Sequence, residues 1–168
     1  MNILKTVAIA AVGLVAFAAC QQAAQNTAAD EDEIKAGSRA WSTAYNAGDA
    51  DGVTALYTED AVVMPPLAPT AVGRDAIHAY IASDSAASKA AGITLNINDD
   101  DSVGVSGDMG WHSGSYSVND ASGAAIDTGM YLEIVQKKDG KWFMSRDIWN
   151  SNQAPAAAAE PAAEAPAS

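Results

Sequence analysis

Residues Trp41 to Ile81, W-S-T-A-Y-N-A-G-D-A-D-G-V-T-A-L-Y-T-E-D-A-V-V-M-P-P-L-A-P-T-A-V-G-R-D-A-I-H-A-Y-I, decide the fold. They read as helix, short helix, strand, proline stop and helix. Upstream, Asp30, Glu31, Asp32 and Glu33 put negative charge on a first helical turn, where the macrodipole favours it. Ile34, Ser38, Trp41 and Tyr45 follow at spacings of four, three and four, which aligns them on one helical face. N-A-G-D closes this helix, because Gly48 can take the left-handed stop and Asp49 can cap the next helix. Val53, Leu56 and Tyr57 give the second helix its apolar side. Ala61 to Met64 is a short β-branched run, and Pro65-Pro66 ends it because neither proline can donate to a ladder. Gly73 to Ala91 is the third helix, with Ile77, Tyr80 and Ile81 facing inward and Gly92 as its stop.

From Ile93 the apolar period changes to two. Ile93, Leu95 and Ile97 alternate with Thr94, Asn96 and Asn98, and turn residues then separate Val103–Val105, Met109–Val118, Ile126–Lys138 and Trp142–Trp149. Helices first and a meander of strands afterward imply an α+β domain with three helices on one face of a curved antiparallel β-sheet. If Asp139-Gly140 is a two-residue turn, Lys138 pairs with Lys141. Counting back, Leu132 falls opposite Asp147, Met130 opposite Trp149 and Glu133 opposite Arg146. Asp147 would then share an apolar face with Met130, Leu132 and Ile134, where burial raises a carboxyl pKa toward the range of acid–base chemistry.

The two ends differ from this middle. Lys5 and the uncharged run Val7 to Ala19 form an export signal too short to span a bilayer, so residues 1–19 are read as cleaved. F-A-A-C at Phe17 to Cys20 resembles a bacterial lipobox, which implies cutting before Cys20 and a diacylglycerol thioether on its sulfur, the only thiol in the chain. Acyl chains contribute about 0.8 kcal/mol per buried CH₂, enough in combination to moor a protein to a membrane. Gln21 at the next position implies the periplasmic face of the outer membrane in a Gram-negative bacterium. Residues 20–30 read as a polar tether, residues 31–152 as the folded domain, and residues 153–168, with their Ala, Pro and Glu, as a solvated tail. Without Lys5 the chain keeps 8 Lys and Arg against 21 Asp and Glu, a charge near −13, which makes nucleic acid a poor partner.

N-A-G-D-A-D-G-V-T-A-L-Y-T-E-D-A-V-V, G-R-D-A-I and D-G-K-W-F-M-S-R-D-I-W-N together resemble the nuclear transport factor 2-like superfamily, in its SnoaL-like and ketosteroid-isomerase-related branch. The resemblance implies a cystatin-like cone, a bent sheet wrapped against three helices, with a pocket for a small apolar molecule at its open end and a homodimer formed through the sheet. On that reading the pocket is lined by Trp41, Tyr45, Tyr57, Met64, Tyr80, Trp111, Met130, Leu132 and Trp149. The oxyanion-hole tyrosine of ketosteroid isomerases falls near Trp41 and their proton-shuttling aspartate near Pro65, which can shuttle nothing. A binding or association module is therefore expected. The alternative is a cyclase-, isomerase- or hydratase-type enzyme with Asp147 as general acid or base and Tyr45, Tyr57 or Trp41 donating to an oxyanion. No cofactor or metal is expected: His78 and His112 lack ligand spacing, Asp99–Asp101 lacks the rest of a calcium loop, and no phosphate loop or nucleophile elbow occurs.

Overall fold

The computed structural model describes residues 27–153. The signal, Cys20 and the C-terminal tail lie outside them. Residues 27–47 form α1, so its first turn occupies the end of the stretch read as tether. Gly48 stops α1 at φ 75°. Asp49 then caps α2 (Ala50–Thr54), its carboxylate accepting from the Gly52 amide at 2.9 Å. The helix ends earlier than its apolar residues suggest, and Tyr57 opens strand β1 (Tyr57–Met64). Pro65 follows directly, and β2 (Ala71–Val72) leads through Gly73, at φ 82°, into α3 (Arg74–Ala90). Arg74 fastens α3 to the start of β1 by donating Nε and Nη2 to the Tyr57 carbonyl.

The remaining elements are strands: β3 (Thr94–Ile97), β4 (Ser102–Ser106), β5 (Met109–Asn119), β6 (Ala125–Lys138) and β7 (Lys141–Ser151). The sheet order is β2-β1-β7-β6-β5-β3, with β4 sharing the β5 edge with β3. Pairs within the β5-β6-β7 meander are antiparallel, whereas β1 lies parallel to β7. The sheet is therefore mixed, because the helices of the first half return the chain so that β1 enters in the direction of β7. The three helices cover its inner face, with Ile34, Val53, Tyr57, Val63, Ile77, Ile81, Val135 and Met144 in the shared core.

The β6-β7 turn is the expected two-residue one, with Asp139 and Gly140 at φ 52° and 80° and Lys138 opposite Lys141. The register further along differs from that count. Val135 faces Met144 but Ile134 faces Arg146, so Ser145 is an extra residue bulged into β7. Beyond the bulge every pairing shifts by one: Glu133 opposes Asp147, Leu132 opposes Ile148, Tyr131 opposes Trp149 and Met130 opposes Asn150. Because side chains alternate between faces, the shift leaves Asp147 and Trp149 on the helix-covered face with Glu133 and Tyr131 and puts Met130, Leu132 and Ile134 on the outer one.

Candidate functional site

Between the helices and the inner face of the sheet lies a hollow of about 330 Å³. Trp41 and Tyr45 reach it from α1, stacked with ring centres 5.1 Å apart and planes 8° from parallel. Tyr80 from α3 meets Trp149 from β7 at 6.4 Å. Tyr116 and Tyr131 rise from β5 and β6, and Ile93, Leu95 and Ile97 close the side.

Glycines make room for the two sheet tyrosines. Tyr131 stands opposite Gly114 and Tyr116 opposite Gly129. A Cβ on Gly114 would lie 2.7 Å from the Tyr131 hydroxyl, and one on Gly129 would lie 2.4 Å from the Tyr116 ring and 1.9 Å from the Asn150 carbonyl oxygen. Each large ring thus packs where its neighbour has no side chain.

Asp147 and Glu133, each 5% exposed, form the polar floor. The Tyr57 hydroxyl donates to Asp147 Oδ2 at 2.5 Å and itself accepts from Trp41 Nε1 at 2.8 Å. Burial first, and then the neighbouring charge of Glu133, push the Asp147 carboxyl from 3.8 up to about 7, while the Tyr57 hydrogen bond pulls the other way. Behind Glu133, Ser38 donates to its Oε2 at 2.8 Å and contacts His112 Nδ1 at 2.8 Å. His112 Nε2 lies 3.0 Å from Asp101, which also pairs with Lys35 at 3.0 Å. Burial pulls the His112 pKa down, but the Glu133 and Asp101 carboxylates outweigh it, and the net direction is upward. His112 is therefore a buried, carboxylate-held imidazole. Among the described residues no group of three His, Cys, Asp or Glu side chains converges as a metal site.

Of the residues expected at the pocket, the structure brings Trp41, Tyr45, Tyr80 and Trp149 to the hollow, with Asp147 at its floor. Tyr57 is fully buried behind Asp147 and does not line it. Trp111, Met130 and Leu132 are corrected to the outer face, at 41%, 49% and 43% exposure, and Met64, beside Ile148, shares that face. For Met130 and Leu132 the cause is the Ser145 bulge. Trp111, opposite Ile134, alternates with the inward Gly110 and His112.

The three donors considered for an oxyanion are engaged elsewhere: Tyr57 with Asp147, Trp41 with Tyr57, and Tyr45 with Asp84 at 2.6 Å. Sequence reasoning missed Glu133, assigned to an outward pair with Arg146, and also His112, Ser38, Tyr116 and Tyr131. The available signal was the glycine alternation G-W-H-S-G-S-Y in β5, which marks the face bearing Gly110, His112, Gly114 and Tyr116 as the tightly approached one.

Comparison with known proteins agrees with this geometry. Residues 38–144 match the family model of the SnoaL-like domain. No curated protein sequence is significantly similar. Among solved structures, a nuclear transport factor 2-like protein with a cystatin-like fold from Novosphingobium aromaticivorans superposes with a TM-score of 0.69 at 21% identity, covering 81% of this chain and 88% of that one. A nuclear transport factor 2-like protein of unknown function from Pseudomonas putida gives 0.66 at 17%, covering 73% and 87%. A ketosteroid isomerase-like protein from Erwinia carotovora gives 0.57 at 24%, covering 74% and 98%. At these identities the likeness is one of fold.

Proposed function

Because the chain belongs to the SnoaL-like domain family, within the nuclear transport factor 2-like superfamily, we propose that it binds a small, largely apolar molecule in the hollow of its cone. One observation carries the reading: a space of about 330 Å³ is walled by six aromatic side chains and floored by two buried carboxyl groups. Such a space is concave, mostly apolar and equipped with a few fixed polar atoms, as small-molecule sites generally are. The engaged state of Trp41, Tyr45 and Tyr57 supports binding over oxyanion chemistry. Native mass spectrometry of the full-length protein purified from its own envelope tests the proposal. A bound molecule below about 330 Å³ that is lost on narrowing the hollow by Leu95→Trp, at a half-buried lining position, supports it; a ligand that persists in that variant refutes it.

Asp147 favours a second reading, a cyclase-, isomerase- or hydratase-type enzyme in which this residue moves the proton. A carboxyl group poised near pH 7 in an apolar site suits general acid–base work. Loss of turnover in Asp147→Asn with ligand binding retained would select this reading.

The proposed setting is the periplasmic face of the outer membrane, with the protein moored through acylated Cys20. Globomycin supports that setting if it causes the precursor to accumulate, and full processing in its presence removes it. We also propose a homodimer through the outer face of the sheet, where Trp111, Leu132, Met130 and Ile148 are exposed together.

A further inference from the structure

We propose that the hollow selects organic cations: a protonated amine or quaternary ammonium group carried on a compact hydrocarbon frame. This rests on the pocket reading above and adds the charge of the ligand. Four carboxyl groups line the space, Asp84, Asp127, Glu133 and Asp147, and no Lys, Arg or His does.

What holds these carboxyl groups matters more than their number. Each accepts from one uncharged hydroxyl: Asp84 from Tyr45, Asp127 from Ser151, Glu133 from Ser38 and Asp147 from Tyr57. Only Glu133 also meets a basic group, His112 Nδ1 at 3.4 Å on the side away from the hollow. A hydroxyl fixes a carboxylate without cancelling its charge, so the negative potential stays inside the cone. Three basic side chains are engaged elsewhere, and the exposed Arg39 acts on the hollow only through Tyr131. Lys35 pairs with Asp101, Arg74 donates to the Tyr57 carbonyl and Lys89 to the Ala47 carbonyl.

On the floor, Tyr57 holds Asp147 through Oδ2 and Ser38 holds Glu133 through Oε2, and both side chains are more than nine-tenths buried and border the space. Each carboxylate has a second oxygen able to accept from a donor within the hollow. The same field is felt by the rings. After burial, Asp84 and Asp147 raise the Tyr80 pKa, and after burial Asp127 raises that of Tyr116 to about 12. Six aromatic faces supply the second half of the recognition, since a cation over a ring face is attracted by its quadrupole, most strongly when desolvated. A hydrated inorganic ion would lose its shell against Ile81, Leu95 and Val118, whereas a hydrocarbon frame fills that wall.

The test uses two sets of matched probes with the full-length protein at pH 8: 1-adamantylamine, 1-adamantanol and adamantane-1-carboxylate, and the phenethyl amine, alcohol and carboxylate. Calorimetry, with quenching of Trp41 and Trp149 fluorescence as a second readout, should give an amine at least tenfold tighter than its alcohol and a carboxylate weaker than both. Asp147→Asn, and independently Asp84→Asn at a half-buried position that tolerates an amide, should each lower amine affinity three- to tenfold and leave alcohol affinity within twofold. An amine that binds no tighter than its alcohol, or a carboxylate as tight as its amine, overturns the cation preference and leaves the pocket itself standing. No binding by any probe defeats both.

Discussion

Asp147 illustrates how one carboxyl group ties stability to protonation. Its folded pKa of about 7 lies above the unfolded value, so between roughly pH 4 and 7 the native chain holds more protons than the denatured one. Stability from this group therefore falls as pH rises through that window and levels off above it. His112, also raised, contributes in the same direction above about pH 6.5. Asp147→Asn, which still offers the Tyr57 hydroxyl an acceptor, should raise the melting temperature at pH 8 and leave it nearly unchanged at pH 5, as read by calorimetry. Tyr57→Phe removes the hydrogen bond that lowers the Asp147 pKa, so the carboxyl ¹³C titration midpoint of Asp147 should move above 7. An inward Asp147 was legible, though it was counted onto a face with Met130, Leu132 and Ile134 that the structure turns outward. Its companions were not, because the bulge at Ser145 has no signature in M-S-R-D: it arises where β7 must bend to pair with β1 and β6 together.

Whole elements were more legible than single contacts. Gly48, Gly73 and Gly92 bracket the helices at the positions where the backbone turns to positive φ, and a positive-φ glycine announces itself in a sequence. Strand β1 was read too short, since Thr58, Glu59 and Asp60 carry no apolar alternation and lie in the irregular stretch between the Tyr57–Met144 and Val62–Arg146 pairings with β7. The faces of β5 and β6 were misassigned for a related reason. Both sides carry apolar residues, and the inner side is distinguished by Gly-ring complementarity, a property of two strands at once. That complementarity gives a sharp contrast between two substitutions. Gly129→Ala would place a methyl 1.9 Å from the Asn150 carbonyl oxygen and should cost about 3 kcal/mol or more in urea unfolding. Gly123→Ala, at φ 85° in a turn with nothing within 4 Å, should cost only about 1 kcal/mol, the strain of its backbone.

At the scale of the molecule, the cone has an exposed apolar outer face as well as a lined interior. Leu132, at 43% exposure, is bordered by Ile148 across β7. The proposed dimer would bury this apolar patch. If the proposed dimer forms, light scattering should give a dimer for the unmodified chain and a monomer for Leu132→Glu, with the circular dichroism spectrum intact. The outward turn of these residues was not legible in the sequence, because they carry the same alternation that a buried face would.

The place of β7 between β1 and β6 has a temporal consequence. The last described strand is the one that joins β1 to β6, so residues 141–151 make one sheet out of two parts. Until those residues arrive, β1 has only the two-residue β2 beside it, and its other edge is open.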